Sequence, residues 1–334
     1  MLRNCLSLIL HYFYTVQQFL IIQTAFLGDV ILATPVISEL KRLYPEALID
    51  VVVRKGNESI LENHPSIRTV FTFNKKEGKL GELKRLTRIF RSKHYDEVIN
   101  LHRFGSSGIL TWLSGGKKKI GFDKNPFSFC YTIKVKHEIG TGIHEVERNL
   151  QLIKQHGAAS LVRPQVYPGE REEKAVASLL SPIYFCLAPA SVWFTKQLPE
   201  KKWVELAKKK SAEGTIYLVG GPDDFALCER IRIAANLPES ANLAGKLSLL
   251  ASCALFSKSA RCYVNDSGPL HMASAVNAPT TAFFCATVPR FGFGPLSDDS
   301  EVRETTEILS CRPCGLHGGK TCPKGHFKCG EITI

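Results

Sequence analysis

The sequence lacks the features of a membrane-spanning or exported protein. Its opening apolar stretch, within residues 1–18, is interrupted by His11 and is too short and too polar to cross a bilayer. No small-residue cleavage site follows, so the stretch does not qualify as a signal peptide. We expect residues 1–18 to be an extension outside the fold, for instance from a start site placed too early; the alternative is an anchor at a membrane surface.

Two familiar phosphate-binding signatures are also missing. No loop has the glycines and the spacing of a Walker A motif. The turn Gly220-Gly221-Pro222-Asp223-Asp224 lacks the complete glycine pattern of a dinucleotide-binding turn. Any nucleotide site in this chain is therefore expected to bind phosphates without these glycine patterns.

The overall composition is that of a globular protein with an uneven distribution of charge. The chain has 334 residues, of which 44% are hydrophobic and 22% charged, and this is long enough for two domains. Residues 1–165 hold 24 Lys and Arg against 14 Asp and Glu, whereas the rest hold 19 against 17. The excess in the first half favours an anionic partner there: nucleic acid, an anionic membrane surface or a phosphorylated substrate.

A repeated pattern of strand, polar loop and helix predicts a parallel α/β architecture. The alternation restarts at Tyr184, after a proline-containing linker at 157–169. We predict two Rossmann-like domains facing each other across a cleft, at 19–165 and 166–334. Near-continuous runs typical of strands covered on both faces lie in the first domain at 48–53 and 69–73, and a further strand is predicted at 97–101.

The stretch 21–35 places a carboxylate where an α/β fold presents groups to a ligand. An apolar strand runs into a turn ending at Gly28, and Asp29 follows before a helical pattern of apolar residues. Ligands collect at the carboxyl ends of parallel strands, which makes Asp29 a candidate catalytic group. The alternative is a helix cap, although Thr34 and Pro35 are themselves predicted as the N-cap and first residue of the helix.

Polar side chains also follow the strand at 97–101. His102 and Arg103 come directly after it and are expected to face the cleft. The segment Gly105-Ser106-Ser107-Gly108, which comes next, is predicted to be flexible. A basic amphipathic helix at 78–95 precedes this strand. Its basic face is predicted to be solvated, with contact to a phosphate-rich surface as the alternative.

Two loops of the second half suit a nucleotide. The first offers the hydroxyls of Ser191 and Thr195 and the cation of Lys196 just before a helix, whose N-terminus favours a diphosphate. The second carries Asp224 after a strand, where a carboxylate commonly accepts hydrogen bonds from ribose hydroxyls. Helix capping explains Asp224 equally well.

A third loop is the densest polar turn of the chain. Asp266 can accept hydrogen bonds from sugar hydroxyls, while the N–H groups of Ser267 and Gly268 can reach a phosphate. His271 lies one turn into the following helix. A histidine in that position is by itself more often structural than catalytic.

The sequence resembles the heptosyltransferase family, glycosyltransferase family 9, in the order and spacing of four motifs. These are the Gly28-Asp29 turn, the loop 191–196, Gly220-Gly221-Pro222 and the turn 266–271. The resemblance implies a GT-B fold with a lipid-linked lipopolysaccharide acceptor on the N-terminal domain and ADP-heptose on the C-terminal domain. It also implies a role for each matching residue: a catalytic base at Asp29, phosphate contacts at Ser191 and Lys196, a ribose contact at Asp224, and a sugar-diphosphate turn at Asp266, Ser267 and Gly268.

The implied reaction is an inverting transfer that needs no metal. A carboxylate at Asp29 would deprotonate the acceptor hydroxyl, and Lys196 with helix N–H groups would stabilise the leaving diphosphate. Thr195 and His271 are expected on the donor side, and Gly28, His102 and Arg103 on the acceptor side. The basic N-terminal half would then face a phosphorylated lipid at the cytoplasmic face of the inner membrane, rather than nucleic acid.

The chain differs from the family in two places. Relatives generally continue into a C-terminal helix after the region of Cys329, and residues 1–18 are atypical of the family.

Four cysteines cluster near the end of the chain, with His317 and His326 between them. The cysteines are Cys311, Cys314, Cys322 and Cys329. Their spacing includes one Cys-x2-Cys pair and offers enough ligands for tetrahedral zinc. Structural zinc, disulfides and free thiols stay open as interpretations. The other seven cysteines are scattered through predicted core, which favours a reducing compartment.

Two further functions fit parts of the sequence. One is another enzyme of the same fold, such as a nucleotide-sugar epimerase, which would need no acceptor. The other is a nucleic-acid-binding protein that uses basic faces and a zinc ribbon. The second is disfavoured because the positive charge and the cysteine cluster lie in opposite halves of the chain.

Overall fold

The computed structural model describes residues 16–74 and 78–334. Most of the predicted extension at 1–18 lies outside these residues, although Gln18 already belongs to the first strand. Within the described ranges no helix is both long and apolar enough to cross a membrane.

The N-terminal half forms a six-stranded parallel sheet. Its strands are β1 (Gln18–Gln23), β2 (Leu48–Arg54), β3 (Thr69–Phe73), β4 (Glu97–Asn100), β5 (Lys118–Phe122) and β6 (Ile133–Val135). Its helices are α1 (Leu27–Ile31), α2 (Thr34–Leu43), α3 (Lys79–Lys93), α4 (Gly105–Leu113) and α5 (Glu145–Gln151). The strand order is β3-β2-β1-β4-β5-β6, so the direction of winding reverses between β1 and β4.

The C-terminal half forms a five-stranded parallel sheet. Its strands are β7 (Tyr184–Ala188), β8 (Thr215–Leu218), β9 (Arg261–Asn265), β10 (Thr280–Phe284) and β11 (Ser300–Glu304). Its helices are α6 (Glu170–Val176), α7 (Glu200–Ser211), α8 (Phe225–Ala234), α9 (Leu249–Ser257) and α10 (Gly268–Ala275). The order is β11-β10-β9-β7-β8, and the winding reverses between β7 and β9.

The predicted pair of parallel α/β domains is confirmed. Central strands are buried along their whole length, as β4 and β7 show, because helices cover both faces of each sheet. The predicted linker at 157–169 contains no helix or strand. A 3₁₀ turn, Lys154–His156, ends directly before it.

Two local predictions were wrong, and three strands were missed. The segment Gly105-Ser106-Ser107-Gly108 opens α4 instead of forming a flexible loop, because Ser107 is buried and its hydroxyl donates to the carbonyl of His102 at 2.7 Å. Thr34 does not cap α2; it is the first residue of that helix, and its hydroxyl donates to the Ile31 carbonyl at 2.8 Å. Strands β5, β6 and β11 were not predicted.

The two domains are joined by a buried arginine. Arg148 on α5 donates through Nη2 to the carbonyl of Phe291 in the C-terminal domain at 2.8 Å. Its Nε donates to Glu145 at 2.8 Å, and only 2% of the arginine is exposed. Nearby, the N–H of Glu145 donates to the carbonyl of Gly292 at 2.7 Å. Position 292 has φ of 95°, and a Cβ there would lie 2.4 Å from the carbonyl oxygen of Ile143.

We expect Arg148→Met to destabilise the protein by about 3 kcal/mol, because it leaves Glu145 buried without its cation. Burial raises the pKa of Glu145 to about 7, and Arg148 opposes that rise. Without Arg148 the pKa of Glu145 rises further, so ionising the buried carboxyl costs the folded variant more as the pH increases. The loss should therefore be larger at pH 8 than at pH 6. Urea unfolding at both pH values measures it.

Arg163→Met is the matched control. Arg163 also links the two halves, through Asp298 at 3.1 Å, but 78% of the Asp298 side chain is exposed. Such a pair contributes about 1 kcal/mol or less. Equal losses in the two variants would show that Arg148 is not a structural link between the domains.

Candidate active site

The reversal points of the two sheets supply the polar loops of the site. In open α/β sheets a crevice forms at the carboxyl ends of strands where the winding reverses. In the N-terminal sheet this is the edge where Thr24 and His102 follow β1 and β4. In the C-terminal sheet the loop 189–196 follows β7, and Asp266 follows β9. These predicted site loops therefore coincide with the two reversal points, whereas the predicted loop with Asp224 follows β8 at the edge of its sheet.

Asp29 caps helix α1, and its carboxyl has a raised pKa. It is the third residue of α1, and its Oδ2 accepts the backbone N–H of Phe26 at 3.1 Å, so the capping interpretation is correct. Burial raises the pKa of the carboxyl, while the Phe26 N–H and the charges of Lys196 and Arg103 lower it. Asp29 thus lies within electrostatic reach of cations from both domains.

Lys196 and Asp266 form an ion pair at the C-terminal side of the cleft. The lysine Nζ lies 2.7 Å from Asp266 Oδ2, and that oxygen also accepts the hydroxyl of Thr287 at 2.6 Å. Only 16% of the lysine side chain and 6% of the aspartate side chain are exposed. Ser267 precedes α10 as its N-cap residue and Gly268 opens the helix, so the positive end of the helix dipole lies directly beside this pair.

The domains meet where α1 packs on α10. Gly28 faces the ring of His271, and a Cβ at position 28 would lie 2.6 Å from His271 Cδ2. On the other side, a Cβ at Gly268 would lie 3.4 Å from Leu27. Burial lowers the pKa of His271 to about 3, so the ring is neutral. The predicted acceptor glycine and the predicted donor histidine therefore form one interdomain contact.

The two predicted acceptor side chains differ in accessibility. His102 is 8% exposed, and its Nδ1 lies 3.0 Å from the hydroxyl of Thr24. Arg103 is partly exposed and lines a cavity of about 500 Å³. The other residues that line this cavity are Phe104, Lys124, His137, Ile139 and Leu316. Arg103 is thus the one of the pair that can meet a ligand.

Several predicted donor residues already have partners within the chain. The Thr195 hydroxyl accepts the N–H of Gly319 at 2.7 Å, and the Ser191 carbonyl accepts from Gln197 at 2.6 Å. Asp224 accepts the N–H of Gly221 at 2.8 Å, which is the capping role weighed for it. The Ser267 hydroxyl donates to the carbonyl of Asn265 at 3.3 Å.

The cysteine-rich segment, residues 311–329, packs against the donor loop. A Cβ at Gly318 would lie 2.9 Å from Lys196 Cγ. His317 Nε2 lies 3.4 Å from Arg103 Nη2 of the other domain, and burial together with the Arg103 and Lys196 charges lowers the pKa of His317. Sequence reasoning kept this segment apart from the site and missed His317, although its position between the cysteines was noted.

The cysteines themselves are unpaired in the described structure. Cys311 Sγ lies 3.9 Å from His326 Nε2, and the Cys314 thiol donates to the carbonyl of Cys311 at 3.0 Å. All ten cysteines of the described ranges are free thiols, and in those ranges no three His, Cys, Asp or Glu side chains converge to hold a metal ion. The zinc site stays a prediction.

Glu145 is a second buried carboxyl that sequence reasoning missed. It is 6% exposed, and the charge of Asp29 contributes to the rise of its pKa to about 7, after the larger effect of burial. Its pairing with Arg148, three residues along one helix, is a sequence signal that is visible in retrospect.

We expect Gly28→Ala to destabilise the protein by about 1–3 kcal/mol, because the new methyl group must displace His271 from a packed interface. The matched control is Gly81→Ala within α3, where a Cβ meets no atom within 4 Å. That change should be neutral or stabilising by up to about 1 kcal/mol. Thermal unfolding of both variants tests the contact, and equal midpoints would contradict it.

The comparisons with known proteins agree with this architecture. Lipopolysaccharide heptosyltransferase 3 of Escherichia coli is 29% identical over 282 residues, covering 78% of this chain and 82% of that protein. Lipopolysaccharide heptosyltransferase 1 of Pseudomonas aeruginosa is 29% identical over 312 residues, covering 88% and 85%. The structure of E. coli ADP-heptose lps heptosyltransferase II shares the fold, with a TM-score of 0.75 at 24% identity over 89% of this chain and 96% of that one.

The family model described as glycosyltransferase family 9 (heptosyltransferase) matches residues 83–321, which is most of the chain. This match spans the end of the N-terminal domain, the loop with Lys196 and the turn with Asp266. The protein is therefore an enzyme, a glycosyltransferase, and it belongs to glycosyltransferase family 9.

Proposed function

We propose that this enzyme transfers a heptose from ADP-heptose to the inner core of a lipopolysaccharide acceptor, with inversion and without a catalytic metal. Heptose and lipopolysaccharide follow the names of the relatives, which are lipopolysaccharide heptosyltransferases. ADP follows the name of the E. coli enzyme with the similar structure, and the inner core follows the resemblance of the sequence to the family. The observation that carries the proposal is the placement of Asp29 within electrostatic reach of Lys196 across the interdomain cleft.

Asp29 supplies the base. An inverting transfer needs a carboxylate that removes the proton of the acceptor hydroxyl while the oxygen attacks the anomeric carbon. The carboxyl has one oxygen committed to the N–H of Phe26, which fixes the orientation of the side chain. Burial makes it more basic than an exposed aspartate, which suits proton abstraction.

Lys196 and α10 stabilise the leaving group. Negative charge develops on the diphosphate as the glycosidic bond to the nucleotide breaks. A cation and a helix N-terminus that lie at the diphosphate stabilise that charge as it develops. The ion pair with Asp266 holds Lys196 beside the Ser267-Gly268 turn, which supports this role.

The acceptor enters from the N-terminal domain. Arg103 and Lys124 line the 500 Å³ cavity, and both are cations suited to acidic groups of a phosphorylated sugar. Because such an acceptor is anchored in lipid, the enzyme would act as a peripheral protein at the cytoplasmic face of the inner membrane. The excess of positive charge in residues 1–165 supports this location.

We expect Asp29→Asn to lower kcat by about 100-fold to 10,000-fold, because the amide cannot accept the proton. The amide oxygen can still accept the N–H of Phe26, so the fold and the affinity for ADP-heptose should be retained. Transfer assays and calorimetric titration of the donor measure the two quantities. Retained turnover, or loss of donor binding with normal turnover per bound donor, would remove the catalytic role from Asp29.

The pH profile gives an independent check. Activity should fall as the pH drops through the pKa of Asp29, and that midpoint should lie above the ordinary value of 3.8. Asp298→Asn, at an exposed carboxylate outside the cleft, should leave kcat and the profile unchanged. Adding Mg²⁺ or Mn²⁺ should not raise the transfer rate, because no step of the proposed transfer uses a divalent cation.

We also retain structural zinc as part of the proposal. Its support is the Cys-x2-Cys pair, followed at once by Gly315 with φ of 87°, and the proximity of Cys311 to His326. Binding would require the cysteine-rich segment to close around the ion. Metal analysis of the purified enzyme should find zinc that Cys322→Ser reduces, whereas a metal-free wild type would reject the site.

A further inference from the structure

The N-terminal domain carries three aromatic rings in mutual contact on its surface. Trp112 of α4 stacks on Phe127 with centroids 6.0 Å apart and meets Phe129 edge-on at 6.2 Å. The two phenylalanine rings lie 5.9 Å apart. Trp112 is 48% exposed and Phe129 65% exposed. We call these three residues the aromatic patch. Clustered large apolar side chains that stay open to solvent mark a surface for a partner.

The segment that contains the aromatic patch is almost devoid of negative charge. Residues 103–136 hold seven Lys and Arg and one carboxylate, Asp123. Three of these cations are paired with carboxylates outside the segment, namely Lys117 with Asp96, Lys118 with Glu97 and Lys136 with Glu138. The other four form no ion pair within residues 16–74 and 78–334: Arg103, Lys119, Lys124 and Lys134.

Two of the unpaired cations lie on the strands beside the aromatic patch. The backbone N–H of Lys119 on β5 donates to the Thr132 hydroxyl at 3.1 Å, and the Lys119 carbonyl accepts the Thr132 N–H at 2.7 Å, which places Lys119 beside the segment that follows Phe129. Lys134 lies on β6, the strand that pairs with β5. Lys124 precedes the patch residue Phe127 by three positions and lines the cavity. On another side, Arg91 of the basic helix α3 donates to the carbonyl of Leu113, next to Trp112, at 2.9 Å.

We propose that the aromatic patch and its surrounding cations dock the enzyme onto an anionic lipid bilayer. Aromatic rings settle at the level of the lipid headgroups, and Lys and Arg beside them meet the anionic phosphates. A second copy of the chain fits this surface poorly. A symmetric contact would bring the same unpaired cations against each other, and like charges at an interface oppose association.

Docking at this surface would place the bilayer beside the acceptor cavity. The ring of Phe127 packs against Gly105 at the start of α4, where a Cβ would lie 3.8 Å away, and α4 starts at the cleft. Trp112 lies seven residues further along, about 10 Å by the helical rise. A lipid-linked acceptor could then reach Arg103 and Lys124 while its lipid stays in the membrane. This last step rests on the proposed function; the docking itself does not.

The experiment is co-sedimentation of the full chain with vesicles of phosphatidylcholine, with and without phosphatidylglycerol, and without acceptor. We expect binding only to the anionic vesicles, weakened by salt. Phe129→Ser should lower the partition coefficient about tenfold, because it removes an exposed ring that docking would bury in the bilayer. Lys134→Gln should lower it about fivefold, the effect of one charge near an anionic surface.

Two changes on the C-terminal domain serve as controls. Ile233→Ser removes an exposed apolar side chain, and Lys208→Gln removes an exposed cation; neither should change vesicle binding. All four variants should transfer sugar to a delipidated, soluble acceptor at the wild-type rate.

The outcomes separate the two proposals. Wild-type protein that stays in solution, or patch variants that bind like wild type, would overturn the docking surface while leaving sugar transfer intact. A wild-type dimer that Phe129→Ser converts to monomer, without vesicle binding, would replace the bilayer by a second copy. Vesicle binding by an enzyme that fails to transfer heptose would instead reject the proposed function alone.

Discussion

The contact of Gly28 with His271 fixes the geometry on which the site depends. Gly28 directly precedes Asp29, the candidate base. His271 lies one turn into helix α10, which begins beside the Lys196–Asp266 pair. The absence of a side chain at position 28 lets the histidine ring approach the backbone of α1, so the two sheet edges come together. Because burial keeps the ring neutral, the approach adds no charge beside Asp29. The interface thus sets the distance across the cleft without disturbing its electrostatics.

The fold could be predicted from sequence wherever strands were long and buried. Strand β2, predicted at 48–53, is a run of buried apolar residues that only Asp50 interrupts, as expected of a strand covered on both faces. Strand β6 has three residues and lies at a sheet edge, and β5 begins with two lysines, so neither shows that signature. Helix α4 opens with glycines and serines, whose local preference is against a helix, and tertiary hydrogen bonds to the His102 carbonyl override it.

The site could be predicted one loop at a time but not as an assembly. Asp29, Lys196 and Asp266 were singled out because each follows a strand, and this rule holds for all three. That Asp266 neutralises Lys196, or that His317 approaches Arg103 from the other domain, depends on long-range packing that no local pattern records. Asp29 also shows that capping and catalysis are not exclusive interpretations: one oxygen can hold a helix while the carboxyl as a whole stays basic.

The Lys196–Asp266 ion pair also bears on how the enzyme releases its product. A diphosphate that approaches Lys196 has to displace an anion that is already in place at 2.7 Å, so binding exchanges one counterion for another. The net affinity is then the difference between two ion pairs, which is smaller than the strength of either. The same exchange runs backwards after transfer, when Asp266, still held by the Thr287 hydroxyl, can recapture the lysine as the spent nucleotide departs. In the proposed mechanism, an ion pair of this kind weakens the binding of the nucleotide and speeds its release.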